Sequence, residues 1–367
     1  MQTIKLAVIP GDGIGPEVVA EAIKLLQALD EVLPTVTFQY TTFPWGSEYY
    51  LRTGRMAPPD FLETLRAFDA ILLGAVGDPR VPDHITLWGL LLPIRQGFDQ
   101  YVNLRPIKLL PGVPCPLVGK GLKDIDMLII RENTEGEYAG IGGWSHRGTD
   151  RETALQTAVF TRHGVERVMD YAFQLARRLG VSVTSISKAN ALNYSMVLWD
   201  EVFAAVRARY PDVPAQSFLV DAAALYFVRQ PERFKVVVAS NLFGDILTDL
   251  GAALQGGLGL AASANLNPPG AYPSMFEPVH GSAPDIAGQG VANPLATLWA
   301  TSLLLEQLAV YRQLPVLAQA GQAVMAAIEA VLREGQVRTP DLGGEATTSE
   351  VGAAVRRALL AGFKTGS

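Results

Sequence analysis

The sequence predicts an α/β chain of about two domains that is not built on a Rossmann unit. Three observations predict this. The chain has 367 residues, about twice an ordinary domain. Short apolar runs alternate with segments of helical periodicity. The first strand-to-helix turn, Pro10-Gly-Asp-Gly-Ile-Gly15, carries glycines at 11, 13 and 15, but Pro16 stands where a dinucleotide fingerprint needs its last glycine.

The elements follow in order. Ile4–Ile9 reads as a first strand, and Pro16 suits the first turn of a helix. Val18, Ala22, Leu25, Leu26 and Leu29 then recur at helical spacing. No acidic ribose clamp stands in the next strand region, Phe38-Gln-Tyr40. The glycine turn is thus either a tight connection or a backbone wall facing a ligand. Further strands are expected at Ala70–Leu73, Met127–Arg131, Val181–Ser187, Ser217–Val220 and Lys235–Ala239. The Pro- and Gly-rich piece Asn103–Gly121 reads as the crossing between domains, and Gly251–Gly259 as the return.

Composition narrows the function. Apolar residues make up 49%, enough for a large core, and the net charge of −6 argues against nucleic acid. One cysteine and four histidines allow no intrachain disulfide and no Cys/His zinc cluster, so a metal site must use oxygen ligands. Cys115, between two prolines, is given no catalytic role. The N-terminus reads as a strand and not as a leader. The apolar stretch Thr297–Val310 is interrupted by Glu306 and Gln307, short of the ~18 unbroken residues of a spanning helix. A soluble cytoplasmic protein without membrane partners is expected.

Asp245 and Asp249 lie four residues apart on one helix face, among Leu242, Phe243, Ile246, Leu247 and Leu250. Like charges held together in apolar surroundings call for a cation, and oxygen ligation suits Mg²⁺ or Mn²⁺. Asp221, just after a strand, is a candidate third carboxylate. Ligands in open α/β sheets sit beyond the carboxyl ends of strands. There stand Arg131, Lys188, Asp221 and Asn241, with Arg95 and Arg105 upstream. Three arginines and a divalent metal suit a small dicarboxylate, because guanidinium grips carboxylate bidentately.

Pro10–Gly15, Asn103-Leu-Arg-Pro106, Arg131-Glu-Asn-Thr-Glu-Gly-Glu-Tyr138, Ser240–Asp249 and Glu277-Pro-Val-His-Gly-Ser-Ala-Pro-Asp285 together resemble the isocitrate/3-isopropylmalate dehydrogenase family. These are β-decarboxylating dehydrogenases of 2-hydroxy acids, and the likeness covers nearly the whole chain. Within the family, His84–Gly89, Phe98–Asn103 and Ala264–Pro268 are most similar to its tartrate and D-malate branch.

The resemblance implies a two-domain fold with parallel and mixed sheet and an active site in the interdomain cleft. Residues 1–103 and 256–367 would form a discontinuous nucleotide-binding domain, and 104–255 a smaller one with the dimer interface. It implies a homodimer whose sites are shared, Lys188 and Asp221 crossing from the partner. Asp245, Asp249 and Asp221 would hold Mn²⁺ or Mg²⁺. Arg95, Arg105 and Arg131 would grip the substrate, Lys188 would take its hydroxyl proton, and Tyr138 would protonate the enol carbon. A lysine near its ordinary pKa of ~10.4 needs nearby cations or burial to act as a base.

For the cofactor, the resemblance implies contacts at Ile14, His280, Gly281, Ser282, Ala283, Asp285, Ile286 and Asn293. Asp285 can accept from ribose hydroxyls and repels a 2′-phosphate, which predicts NAD. A monovalent cation such as K⁺ is a further candidate cofactor. Trp88, in the segment that faces the β-carbon group in relatives, either packs in the core or fills the space of a larger substituent. The latter fits D-malate or tartrate. Asp83 and His84 are alternative contacts for a tartrate hydroxyl. The alternatives are 3-isopropylmalate oxidation, net decarboxylation of meso-tartrate, and a non-catalytic subunit.

Overall fold

A computed structural model of the protein describes residues 1–365. In chain order the strands are β1 (Gln2–Gly11), β2 (Val36–Thr42), β3 (Ala70–Ala75), β4 (Val102–Lys108), β5 (Asp126–Glu132), β6 (Gly136–Ser145), β7 (Thr153–Val159), β8 (Val183–Ser187), β9 (Ala215–Leu219), β10 (Val236–Ala239), β11 (Ala262–Leu266) and β12 (Ser274–Pro278). The helices are α1 (Gly15–Val32), α2 (Ser47–Thr53), α3 (Phe61–Leu65), α4 (Asp83–Thr86), α5 (Leu92–Gly97), α6 (Arg162–Leu179), α7 (Ser195–Ala208), α8 (Val220–Arg229), α9 (Asn241–Leu254), α10 (Leu295–Tyr311), α11 (Pro315–Glu334) and α12 (Thr348–Thr365).

The chain forms two compact units. The first holds Met1–Gln100, Lys108–Leu122 and the chain from Ala252 onward; the second holds Tyr101–Ile107 and Lys123–Gly251. In the first, the strand order is β2-β1-β3-β12-β11. β1 runs parallel to β2 and β3, β12 parallel to β3, and β11 antiparallel to β12. β3 is buried at every position, as a sheet covered on both faces requires. Two glycines fix the first turn. Gly11 (φ +72°) sits where a Cβ would come within 1.9 Å of the Ala75 carbonyl oxygen. Gly13 (φ +57°) lies equally tight against the Ser282 carbonyl, at 2.0 Å. The turn is therefore a close backbone approach to the loop after β12.

In the second unit the order is β4-β5-β10-β8-β9, with β5, β10, β8 and β9 parallel. β8 and β10 are fully buried. α6 packs on α7 and on β10 through a buried stripe that includes Val165, Val168, Ala172 and Phe173. β6 and β7 form a separate antiparallel hairpin, largely exposed.

Some sequence expectations shift. Val102–Lys108 is a strand and not the start of a loop. Residues 108–122, read as part of the middle segment, lie with the first unit. The Lys108 amide donates to Gln255, its ammonium to Glu329, and Gly112 packs on the Leu332 carbonyl. α11 is long and apolar enough to span a membrane by length and composition alone. Gln319, Gln322 and Glu329 interrupt it, while Leu317, Val324, Ile328 and Val331 are buried. It packs between α10 and α12, the pattern of a core helix.

Candidate active site

Parallel strands deliver their last residues to one edge, and the second unit uses this directly. Arg131 lies near the end of β5, only 2% exposed, and Arg105 lies on β4. β10 ends at Ala239, and α9 begins two residues later with Asn241. Gly244 lets α9 approach, because a Cβ there would stand 2.7 Å from Arg131 Cβ and Cγ. That approach places Asp245 between two guanidiniums. Arg131 Nη1 is ion-paired with Asp245 Oδ1, and Arg105 Nη2 lies 3.5 Å from the same oxygen. Arg105 Nη1 also donates to Thr248 Oγ1 at 2.5 Å. The Tyr138 hydroxyl donates to Asp245 Oδ2 at 3.2 Å, and the Arg131 guanidinium lies 5.6 Å from the Tyr138 ring centre.

Four predicted residues, Arg105, Arg131, Tyr138 and Asp245, thus meet. Asp249 stands one turn on. Desolvation, and then the charge of Asp245, raise its carboxyl above the ordinary range. Two carboxylates one turn apart, one of them held reluctant to ionise, fit a divalent cation. α9 is less enclosed than its composition suggests: Leu247 is buried, but Ile246 is 58% exposed.

Lys188 and Asp221 pair with each other, Nζ to Oδ1 at 2.8 Å. Asp221, in the first turn of α8, is 64% exposed in its side chain, and the Lys188 hydrogen bond lowers its carboxyl pKa. Among the described residues of a single chain, no group of three or more His, Cys, Asp or Glu side chains could hold a metal. Asp221 does not join Asp245 and Asp249 within one chain.

In the first unit, Arg95 is buried and donates to Glu277 at 2.8 Å; Asn265 donates to the same oxygen. Trp88 lies in a one-turn π-helical segment, Leu87–Leu91, and is 39% exposed, so it is not a core residue. A cavity of about 300 Å³ is lined by Ile14, Gly259, His280, Ile286, Asn293 and Asp341, among others. The Ile14 amide donates to the Ser282 carbonyl at 2.8 Å, tying the first turn to the cavity loop. Ala283 adopts φ +40° and Gly281 has open space around it. Asp285 is exposed and Ile286 packs with Ile14, Val18 and Ala292.

His280 has its Nδ1 against the Gly281 carbonyl, while Nε2 is buried with no partner. Desolvation lowers its pKa, so the ring is neutral near pH 7. An apolar cavity with one unmatched ring nitrogen fits the adenosine end of a dinucleotide. Two partners carry no signal in the sequence: Asp341, which accepts from Asn293 Nδ2 at 2.9 Å, and Glu277, which pairs with Arg95. Asn241 is marked in the sequence only by its place after a strand.

Comparison with known proteins shows the family. Residues 5–355 match the isocitrate/isopropylmalate dehydrogenase family. D-malate dehydrogenase [decarboxylating] of Escherichia coli (strain K12) is 51% identical, over 98% of this chain and 99% of that protein. Tartrate dehydrogenase/decarboxylase of Pseudomonas putida is 49% identical, over 97% and 98%. The crystal structure of isocitrate dehydrogenase from Methylococcus capsulatus superposes with a TM-score of 0.86 at 35% identity, covering 97% and 99% of the two chains. The chain is therefore an enzyme, an oxidoreductase that belongs to the isocitrate/isopropylmalate dehydrogenase family.

Proposed function

We propose that the protein oxidises and β-decarboxylates a small (2R)-hydroxy dicarboxylic acid with NAD and a divalent cation, D-malate or tartrate being the substrate. The carrying observation is Asp245 held between Arg105 and Arg131 with the Tyr138 hydroxyl on its other oxygen. The names of the D-malate and tartrate relatives support the substrate class. Bound NAD would supply the hydride acceptor, and Mn²⁺ or Mg²⁺ at Asp245 and Asp249, with Asp221 of the partner subunit, would supply the charge that acidifies the hydroxyl and offsets the enolate.

The chain's own residues do the rest. Arg95, Arg105 and Arg131 hold the carboxylates. Lys188 of the partner subunit takes the hydroxyl proton as C2 loses hydride, giving a 2-oxo acid. The bond from the β-carbon to its carboxylate then breaks, releasing carbon dioxide. Tyr138 returns a proton to that carbon. Asp285 accepts from the adenosine ribose, and its charge disfavours a 2′-phosphate. Trp88 shortens the pocket, which disfavours isopropylmalate and isocitrate.

Exposed Leu225, Val228 and Ile246 on α8 and α9, and Ile141, Trp144 and Leu155 on the hairpin, support a homodimer. The single cysteine, which can form no intrachain disulfide, is compatible with a cytoplasmic setting. A panel of D-malate, L- and meso-tartrate, isocitrate and 3-isopropylmalate, each with NAD and NADP, tests the reading. Turnover of a four-carbon diacid with NAD is expected. Preference for 3-isopropylmalate would replace it, and carbon dioxide release from meso-tartrate without NADH would make the enzyme a net decarboxylase.

A further inference from the structure

We infer that Asn241 is a positioning residue that sets Arg131 and Tyr138 with one side-chain amide; the inference rests on the roles proposed for those two residues. Asn241 is 2% exposed at the start of α9. Its Oδ1 accepts from Arg131 Nε at 2.9 Å. Its Nδ2 donates to the Glu135 backbone carbonyl at 3.0 Å. Glu135 directly precedes Gly136 (φ +74°), which opens β6, and Tyr138 is the third residue of that strand.

The turn before β6 is held by its own side chains: the Glu132 carboxylate accepts from the Thr134 and Glu135 amides, and Glu135 accepts from Thr161. The Asn241 amide ties this turn to the metal-binding helix. The amide offers an acceptor to the arginine and a donor to the carbonyl together. One half orients the carboxylate grip, and the other orients the proton donor.

The two halves separate by substitution. Asn241→Ala removes both, so the KM for the hydroxy acid rises and kcat falls by about a hundredfold, while the KM for NAD stays within about twofold. Asn241→Asp keeps an acceptor for Arg131 and loses the donor, so KM for the acid recovers and kcat does not. Hydrogen exchange of the Gly136–Tyr138 amides rises in both variants. Unchanged kinetics in both, or a parallel loss in kcat and both KM values alongside a lower Tm, would overturn the inference. If the wild type oxidises no four-carbon diacid, the proposed function fails, and exchange at Gly136–Tyr138 decides the inference alone: no rise in Asn241→Ala would end it.

Discussion

Asp245 and Asp249 show how one residue's neighbours decide its chemistry. Asp245 is compensated by Arg105, Arg131 and Tyr138, whereas Asp249 is kept above its ordinary pKa by desolvation and by Asp245. A carboxyl whose folded pKa is raised favours the fold below the ordinary range and loses that contribution as pH rises through the raised value. Without divalent cation, wild type should lose thermal stability relative to Asp249→Asn as pH rises from about 4. Melting curves of wild type and Asp249→Asn between acid and neutral pH check this, and the variant should also lose Mn²⁺ binding by calorimetry. A pH dependence identical in the two proteins would contradict it. At the cofactor, Asp285→Lys with Ile286→Tyr should move the NAD to NADP preference by about tenfold or more toward NADP, read as the ratio of kcat/KM values. Single residues were legible where topology makes them so: Arg131 lies near the end of a strand, Lys188, Asp221 and Asn241 lie just after strands, and within the chain Arg131 meets Asn241 while Lys188 meets Asp221. Asp341 was not, because its approach to Asn293 depends on a chain reversal that no local pattern encodes.

Among the elements, α9 is the one that builds the site, and Gly244 sets its distance from β5. Gly244→Ala forces Arg131 or the helix to move, and an overpacked contact of this kind costs about 1–3 kcal/mol. Urea unfolding should show a lower midpoint, and the KM for the hydroxy acid should rise with it; an unchanged KM would mean that Arg131 absorbs no displacement. The strands β1, β3, β5 and β10 could be read because burial makes them short, nearly continuous apolar runs, whereas β8 is buried but rich in serine and threonine and β9 is only half-buried. β4 escaped because Pro106 and the prolines after it have the composition of a loop. The hairpin β6–β7 escaped for a different reason: its glycine-rich, mostly exposed residues bury no face within the chain, so no alternation marks them.

On the scale of the whole molecule, the single chain holds two of the three proposed metal carboxylates together and leaves the third paired with Lys188. The proposed shared site would account for this distribution and give a use to the apolar surface of α8, α9 and the hairpin. Lys188→Ala and Asp245→Ala proteins, each inactive, should regain about a quarter of wild-type activity per dimer when unfolded and refolded together, because half of the dimers are mixed and each carries one intact site. No recovery, with mixed dimers demonstrated by mass, would place all the machinery in one chain. In the proposed reaction, oxidation of a four-carbon hydroxy diacid is coupled to loss of carbon dioxide. Its most direct test is to incubate the protein with D-malate, NAD and Mn²⁺ and to measure NADH, carbon dioxide and pyruvate together. Equal amounts of all three are expected; no NADH from D-malate or from any tartrate would rule this reaction out.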